Sequence, residues 1–167
     1  MRKSLIIFVT VLATVAAAAC AQKSKERQLQ MFKYPCGMSF AFYTPLPPQE
    51  QGNTENFIVH SFSKNNFTID YICRRKVTSR DFDIFNNGMQ KQSAAKVMID
   101  GRECYKTNNE LVYTTYSNYK TGVSCKNNGQ LESVEISIPI WKDKPEQSIV
   151  QQKKELAEKI LSTISFK

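Results

Sequence analysis

Four cysteines, Cys36, Cys73, Cys104 and Cys125, limit how this 167-residue chain can fold more than any other feature. An even number in an exported chain of this size reads as two disulfides, and three pairings are open. Metal ligation is the poorer reading, because no two of the four are close in sequence and no histidine stands beside them. If the pairing is sequential, Cys36 with Cys73 and Cys104 with Cys125, each bond closes a loop of a few tens of residues. Chain entropy then gives each bond on the order of 3 to 4 kcal/mol.

The disulfide reading depends on export. Arg2 and Lys3 precede an uncharged apolar run from Leu5 to Ala19 and then the small residues Ala16-Ala17-Ala18-Ala19-Cys20-Ala21, so residues 1–21 read as a signal peptide. The apolar run is shorter than the roughly 20 residues a spanning helix needs. Two cleavages fit. Signal peptidase cutting after Ala21 discards Cys20, whereas Ala17-Ala18-Ala19-Cys20 resembles a bacterial lipobox, which would make Cys20 the lipidated first residue. Either way Cys20 leaves the disulfide pool. The expected location is periplasmic, outer-membrane-attached or extracellular.

Beyond the leader, residues 22–35 read as a polar arm and residues 36–167 as a single domain. Without Arg2 and Lys3 the formal charge is +6, from 21 basic and 15 acidic residues. The basic residues are scattered as Lys23, Lys25, Arg27, then Arg74, Arg75, Lys76, then Lys153, Lys154. That pattern suits a solvated surface, or contact with an anionic envelope component or an acidic protein; no run marks a nucleic-acid tail.

Met38 to Tyr43 is aromatic-rich and ends in Thr44-Pro45-Leu46-Pro47-Pro48, which predicts a first strand and a proline turn. Asn56 to Ser63 and Phe67 to Arg74 predict a hairpin about Lys64-Asn65-Asn66. Thr78-Ser79-Arg80-Asp81 carries helix-start chemistry, with Phe82, Phe85 and Met89 on one face. Asn86-Asn87-Gly88 predicts that this helix is short or breaks at Gly88. Strand candidates follow at Lys96 to Lys106, Leu111 to Tyr119, and Val123 to Ile140 with a turn at Asn127-Asn128-Gly129. From Pro145 onward, Ile149, Leu156, Ile160 and Ile164 form an apolar stripe. Lys154 with Glu158 and Glu155 with Lys159 are spaced to pair along the opposite face. The order predicts an α+β fold, a mostly antiparallel sheet with a mid-chain helix and a long C-terminal helix packed on it.

Phe40-Ala41-Phe42-Tyr43-Thr44-Pro45, the mid-chain helix, Val97-Met98-Ile99-Asp100-Gly101-Arg102 and Lys159-Ile160-Leu161-Ser162-Thr163-Ile164-Ser165-Phe166 follow one another in an order that resembles the PsbP-like and DcrB-like exported α/β/α sandwiches. The resemblance implies a small accessory or binding module without chemistry of its own. It transfers no functional residue, and the four cysteines are not part of its pattern.

Residues for catalysis are scarce. His60 shares a strand face with Ile58 and Phe62, while Ser61 points the other way, so no nucleophile accompanies it. Asp81 with Asp83 and Glu132 with Glu135 have no fixed separation, and Asp100-Gly101 reads as a turn or bulge. Phosphate-cradling glycine loops and paired metal-ligand histidines are missing. We therefore expect no catalytic, cofactor or metal site, and no enzymatic activity.

The better candidates are Tyr105, Tyr113, Tyr116 and Tyr119, interspersed with Asn108, Asn109 and Asn118, since exposed tyrosine offers a rigid ring with a polar tip. Tyr113 and Tyr116 differ by an odd number, so they lie on opposite faces of one strand, and only one of them can be on a binding surface. Asn66-Phe67-Thr68 fits a glycosylation acceptor in a eukaryotic secretory pathway. The expected function is a non-enzymatic exported binding or accessory module of the cell envelope, its partner a protein or an anionic envelope component. The alternative is a periplasmic inhibitor or immunity-type protein acting on a secreted enzyme. Membrane contact is expected only through a lipid on Cys20.

Overall fold

A computed structural model describes residues 29–43, 47–143 and 147–166. The leader, Cys20, the arm up to residue 28, the proline turn over 44–46 and Pro145 lie outside the described residues. The fold is α+β, with nine strands and two helices among the described residues. Strands β1 (Leu29–Lys33) and β2 (Ser39–Tyr43) form a two-stranded hairpin. The other seven, β3 (Gln49–Asn53), β4 (Phe57–Lys64), β5 (Phe67–Arg74), β6 (Ala95–Ile99), β7 (Arg102–Val112), β8 (Tyr116–Asn127) and β9 (Gln130–Trp141), form one antiparallel sheet in the order β3-β4-β5-β9-β8-β7-β6.

Helix α1 (Ser79–Lys91) starts at a capping box: Thr78 Oγ1 accepts from the Asp81 N–H, and the Asp81 carboxylate accepts from the Thr78 N–H. Those Thr78 hydrogen bonds, and then Arg74, hold the Asp81 carboxyl below the usual carboxylate range. Contrary to the sequence reading, α1 runs through Gly88 to Lys91. Glycine costs about 1 kcal/mol in a helix interior, and the cap together with the edge-on contact of Phe85 and Tyr105 at 5.6 Å holds the helix across it.

Helix α2 (Gln147–Leu161) lies on the opposite, inner face of the sheet and buries Ala157, Ile160 and Leu161. Ile164, expected on its stripe, is buried beyond the helix end, where Ser165 exchanges two backbone hydrogen bonds with Ser39 of β2. Glu155 accepts from Gln151 at 3.0 Å one turn earlier, and the expected Lys154–Glu158 pair gives way to contacts with the sheet. Glu158 meets Lys106 and Thr121, and Lys154 sits over the Tyr119 ring and 3.8 Å from Glu110. These side chains face β7 and β8, whose polar groups are closer partners than the next helical turn.

Both disulfides form in the sequential pairing, Cys36–Cys73 and Cys104–Cys125. Cys36 lies in the β1–β2 turn, where Gly37 takes φ 118°, a left-handed conformation that favours glycine. Its bond to Cys73 ties the small hairpin covalently over the large sheet. Leu29–Lys33, expected within the polar arm, instead forms β1, because Phe32 pairs with Phe40 and packs on the core.

Candidate functional site

The β7–β8 hairpin turns at Tyr113-Thr114-Thr115, a stretch with no glycine, proline or asparagine to mark it. Tyr113 N–H donates to the Tyr116 carbonyl at 2.8 Å, and Lys142 Nζ donates to the Tyr113 carbonyl at 2.7 Å. The turn overrides the alternation argument, so Tyr113 and Tyr116 are not on opposite faces: their rings stack at 4.6 Å and 19°. Trp141, directly across the ladder from Tyr116, adds a third ring at 5.2 Å and 40°. Tyr113 and Trp141 remain 45% and 44% exposed, and Val112 at the tip 72%, so this corner keeps a large apolar surface in water.

The other two tyrosines are elsewhere. Tyr105 is buried under α1 and donates to Glu103 at 3.1 Å; burial, then that bond, pushes its phenol up. Tyr119 is on the inner face beneath Lys154, its phenol raised by burial and then by the Glu158 charge. Trp141 was not singled out in the sequence. Its signal was the Asn128-Gly129 turn, both residues at positive φ, which sets β8 against β9 in the register that opposes Tyr116 to Trp141.

Between the aromatic stack and α1, the outer face of the sheet is a floor of small polar side chains that no described element covers. Asn118 and Lys120 of β8 lie beside Asn109 of β7, Ser137 and Glu135 of β9, and Thr68 and Asp70 of β5. Lys120 donates to Glu135 at 2.8 Å, which holds its ammonium above the usual range, and Asp70 accepts from Ser61. Gly122 is in the middle, and a Cβ there would stand 2.7 Å from the Val134 carbonyl oxygen. Asn118 Oδ1 is shielded from solvent and has no hydrogen-bond partner among the described residues.

The inner face holds a second polar group. Glu132 is fully buried; it accepts from Met38 N–H at 2.9 Å, Tyr71 Oη–H at 3.0 Å and Asn127 Nδ2 at 2.9 Å. It lies in the same cross-strand row as Cys73, Cys125 and Cys104. Burial, and then the Glu132 charge, pushes the Tyr71 phenol far above its usual range. His60 packs edge-on against Tyr34 and Tyr71, with Nε2 3.9 Å from Glu50. This cluster is closed over by β1 and β2 and brings no nucleophile to His60.

Glu132 and Glu135 point to opposite faces, Asp81 serves the helix cap, and Asp100 in the β6–β7 turn accepts the Phe166 N–H at 2.9 Å. Among the described residues no group of three or more His, Cys, Asp or Glu could hold a metal ion. A groove of about 380 Å³ opens between β9 and α2, lined by Ile140, Gln147, Val150, Gln151 and Lys154.

No family model matches the sequence, and no curated protein matches it. The fold is PsbP-like. The solution structure of cyanobacterial PsbP from Synechocystis superposes with a TM-score of 0.56 at 14% identity, covering 83% of this chain and 92% of that one. A crystal structure from Bacteroides thetaiotaomicron gives a TM-score of 0.50 at 14% identity over 84% of this chain, which spans 49% of that longer one.

Proposed function

We propose that this chain is an exported, non-enzymatic binding module of the cell envelope, and that the outer sheet face with the Tyr113–Tyr116–Trp141 stack is its binding surface. One observation carries the reading. Two disulfides and two helices secure the frame, yet the Tyr113, Tyr116 and Trp141 rings are stacked at one corner with Tyr113 and Trp141 half in water, where they close no core. Aromatic side chains placed this way supply large rigid contact area at small entropic cost. The disulfides fit an oxidising compartment, as the leader requires. The PsbP-like fold supports the reading of a small accessory module.

Retention of the oxidised full chain on isolated envelope material tests the proposal. Trp141→Ala and Tyr113→Ala, both at half-exposed positions, should abolish retention without lowering the unfolding midpoint. Retention unchanged in both variants would refute it. If instead one secreted enzyme co-purifies in equal amount and loses activity, the chain acts as an inhibitor through the projecting Val112 tip.

A further inference from the structure

We infer that the outer sheet face takes a neutral pyranose chain, its aromatic stack holding the apolar face or edge of a sugar ring while the polar floor reads the hydroxyls. The inference rests on the binding-module reading above and names the ligand class. A pyranose presents C–H groups on its faces and hydroxyls around its rim. Its site must therefore set an aromatic surface beside small side chains that both donate and accept.

The outer face does this. From Tyr116 the floor runs along β8 through Asn118 and Lys120 to Gly122, about 20 Å at the rise of an extended strand, with Asn109 and Ser137 on the flanking strands and Thr68 one strand further out. Asn118, two positions from Tyr116 on the same face, has an Oδ1 with no hydrogen-bond donor among the described residues. Rotation of the Asn118 amide toward the floor lets it accept from a sugar hydroxyl, recovering the free energy that an unpaired acceptor costs.

Charge complementarity selects against other ligands. Among the described residues of the floor, Lys120 is neutralised by Glu135 at 2.8 Å and Asp70 adds a further carboxylate, while Lys142 at the aromatic corner is turned onto the Tyr113 carbonyl at 2.7 Å, so the polar track itself offers no unpaired cation to an anionic polymer. Its centre is hydroxyl, amide and ion pair, whereas a protein interface concentrates apolar area at the centre and depletes charge there. Here the apolar area lies at one end, as a ring platform beside a polar track.

Trp141 is the chain's one tryptophan, so its emission reports on this corner directly. The test titrates the oxidised full chain with cellotetraose and with chitotetraose while following that emission. The expected result is a saturable change with at least one tetrasaccharide, about tenfold weaker in Tyr116→Ala and in Asn118→Ala, the loss of one stacking or hydrogen-bonding contact. Sulfated dextran should neither bind nor compete, and two intact disulfides and an unchanged far-ultraviolet spectrum establish that each variant is folded. No response to either tetrasaccharide overturns the assignment. If Trp141→Ala nevertheless abolishes retention on envelope, the binding face stands with a protein as its partner; if retention is also unaffected, both readings fall.

Discussion

Glu132 accepts the Tyr71 hydroxyl at 3.0 Å inside a core closed to solvent, and the same carboxylate receives the Met38 N–H from the small hairpin. With Asn127 Nδ2 of β8 as its third donor, a single buried acid on β9 thus joins β5, β8 and the turn that leads into β2. Glu132→Ala leaves three donors without their acceptor, at a cost of about 1–3 kcal/mol for each buried group left unpaired. Urea unfolding should show a loss of at least about 3 kcal/mol. Glu135→Ala, on the solvent side of the same strand, should stay within about 1 kcal/mol of the parent.

The two disulfides close loops of different length, with sequence separations of 37 and 21 residues. Chain entropy assigns about 4 kcal/mol to Cys36–Cys73 and about 3 kcal/mol to Cys104–Cys125. Replacing each pair by alanine and measuring unfolding should reproduce that order. Loss of Cys36–Cys73 should also raise binding of a hydrophobic dye, because that bond holds the small hairpin, with its buried Met38 and Phe40, against the large sheet. Loss of Cys104–Cys125, within one sheet, should not.

Tyr34 Oη is buried without a hydrogen-bond partner among the described residues, and burial pushes its phenol far above the usual tyrosine range. The folded chain therefore keeps the proton at a pH where the unfolded chain, near its ordinary value of 10.0, releases it. Stability from this group is complete below pH 10 and falls as the pH rises beyond it. Tyr34→Phe should match or exceed parental stability at neutral pH and flatten the alkaline decline, measured by urea unfolding at several pH values.

Gly122 is set by proximity, since any Cβ there meets the Val134 carbonyl oxygen at 2.7 Å. That oxygen belongs to the backbone of β9, so Gly122→Ala must displace one strand from the other. The expected loss is about 1–3 kcal/mol by thermal unfolding. An unchanged midpoint would show that β8 and β9 are less tightly packed than described.

Much of this architecture is legible in the sequence because local chemistry and burial agree. Alternation marks Phe67 to Arg74, the Thr78–Asp81 box starts α1, and Ala157, Ile160 and Leu161 fall on one helical face. The polar edge strand Gln49–Asn53 is illegible, because it carries no apolar alternation and is held chiefly by its backbone pairing to β4. The candidate site was half legible. Its tyrosines stand out by composition, but the Tyr113-Thr114-Thr115 turn has no breaker residue, so Leu111 to Tyr119 reads as one strand and the stack disappears. Trp141 joins the site only through register, which the Asn128-Gly129 turn fixes thirteen residues before it in β9's partner geometry.

The measurement that bears most directly on the account is acrylamide quenching of Trp141 emission in the oxidised chain, free and bound to isolated envelope material. A working binding face predicts ready quenching in the free chain, in keeping with 44% exposure, and strong protection once bound. Equal quenching in both states, with the protein demonstrably retained, would contradict it.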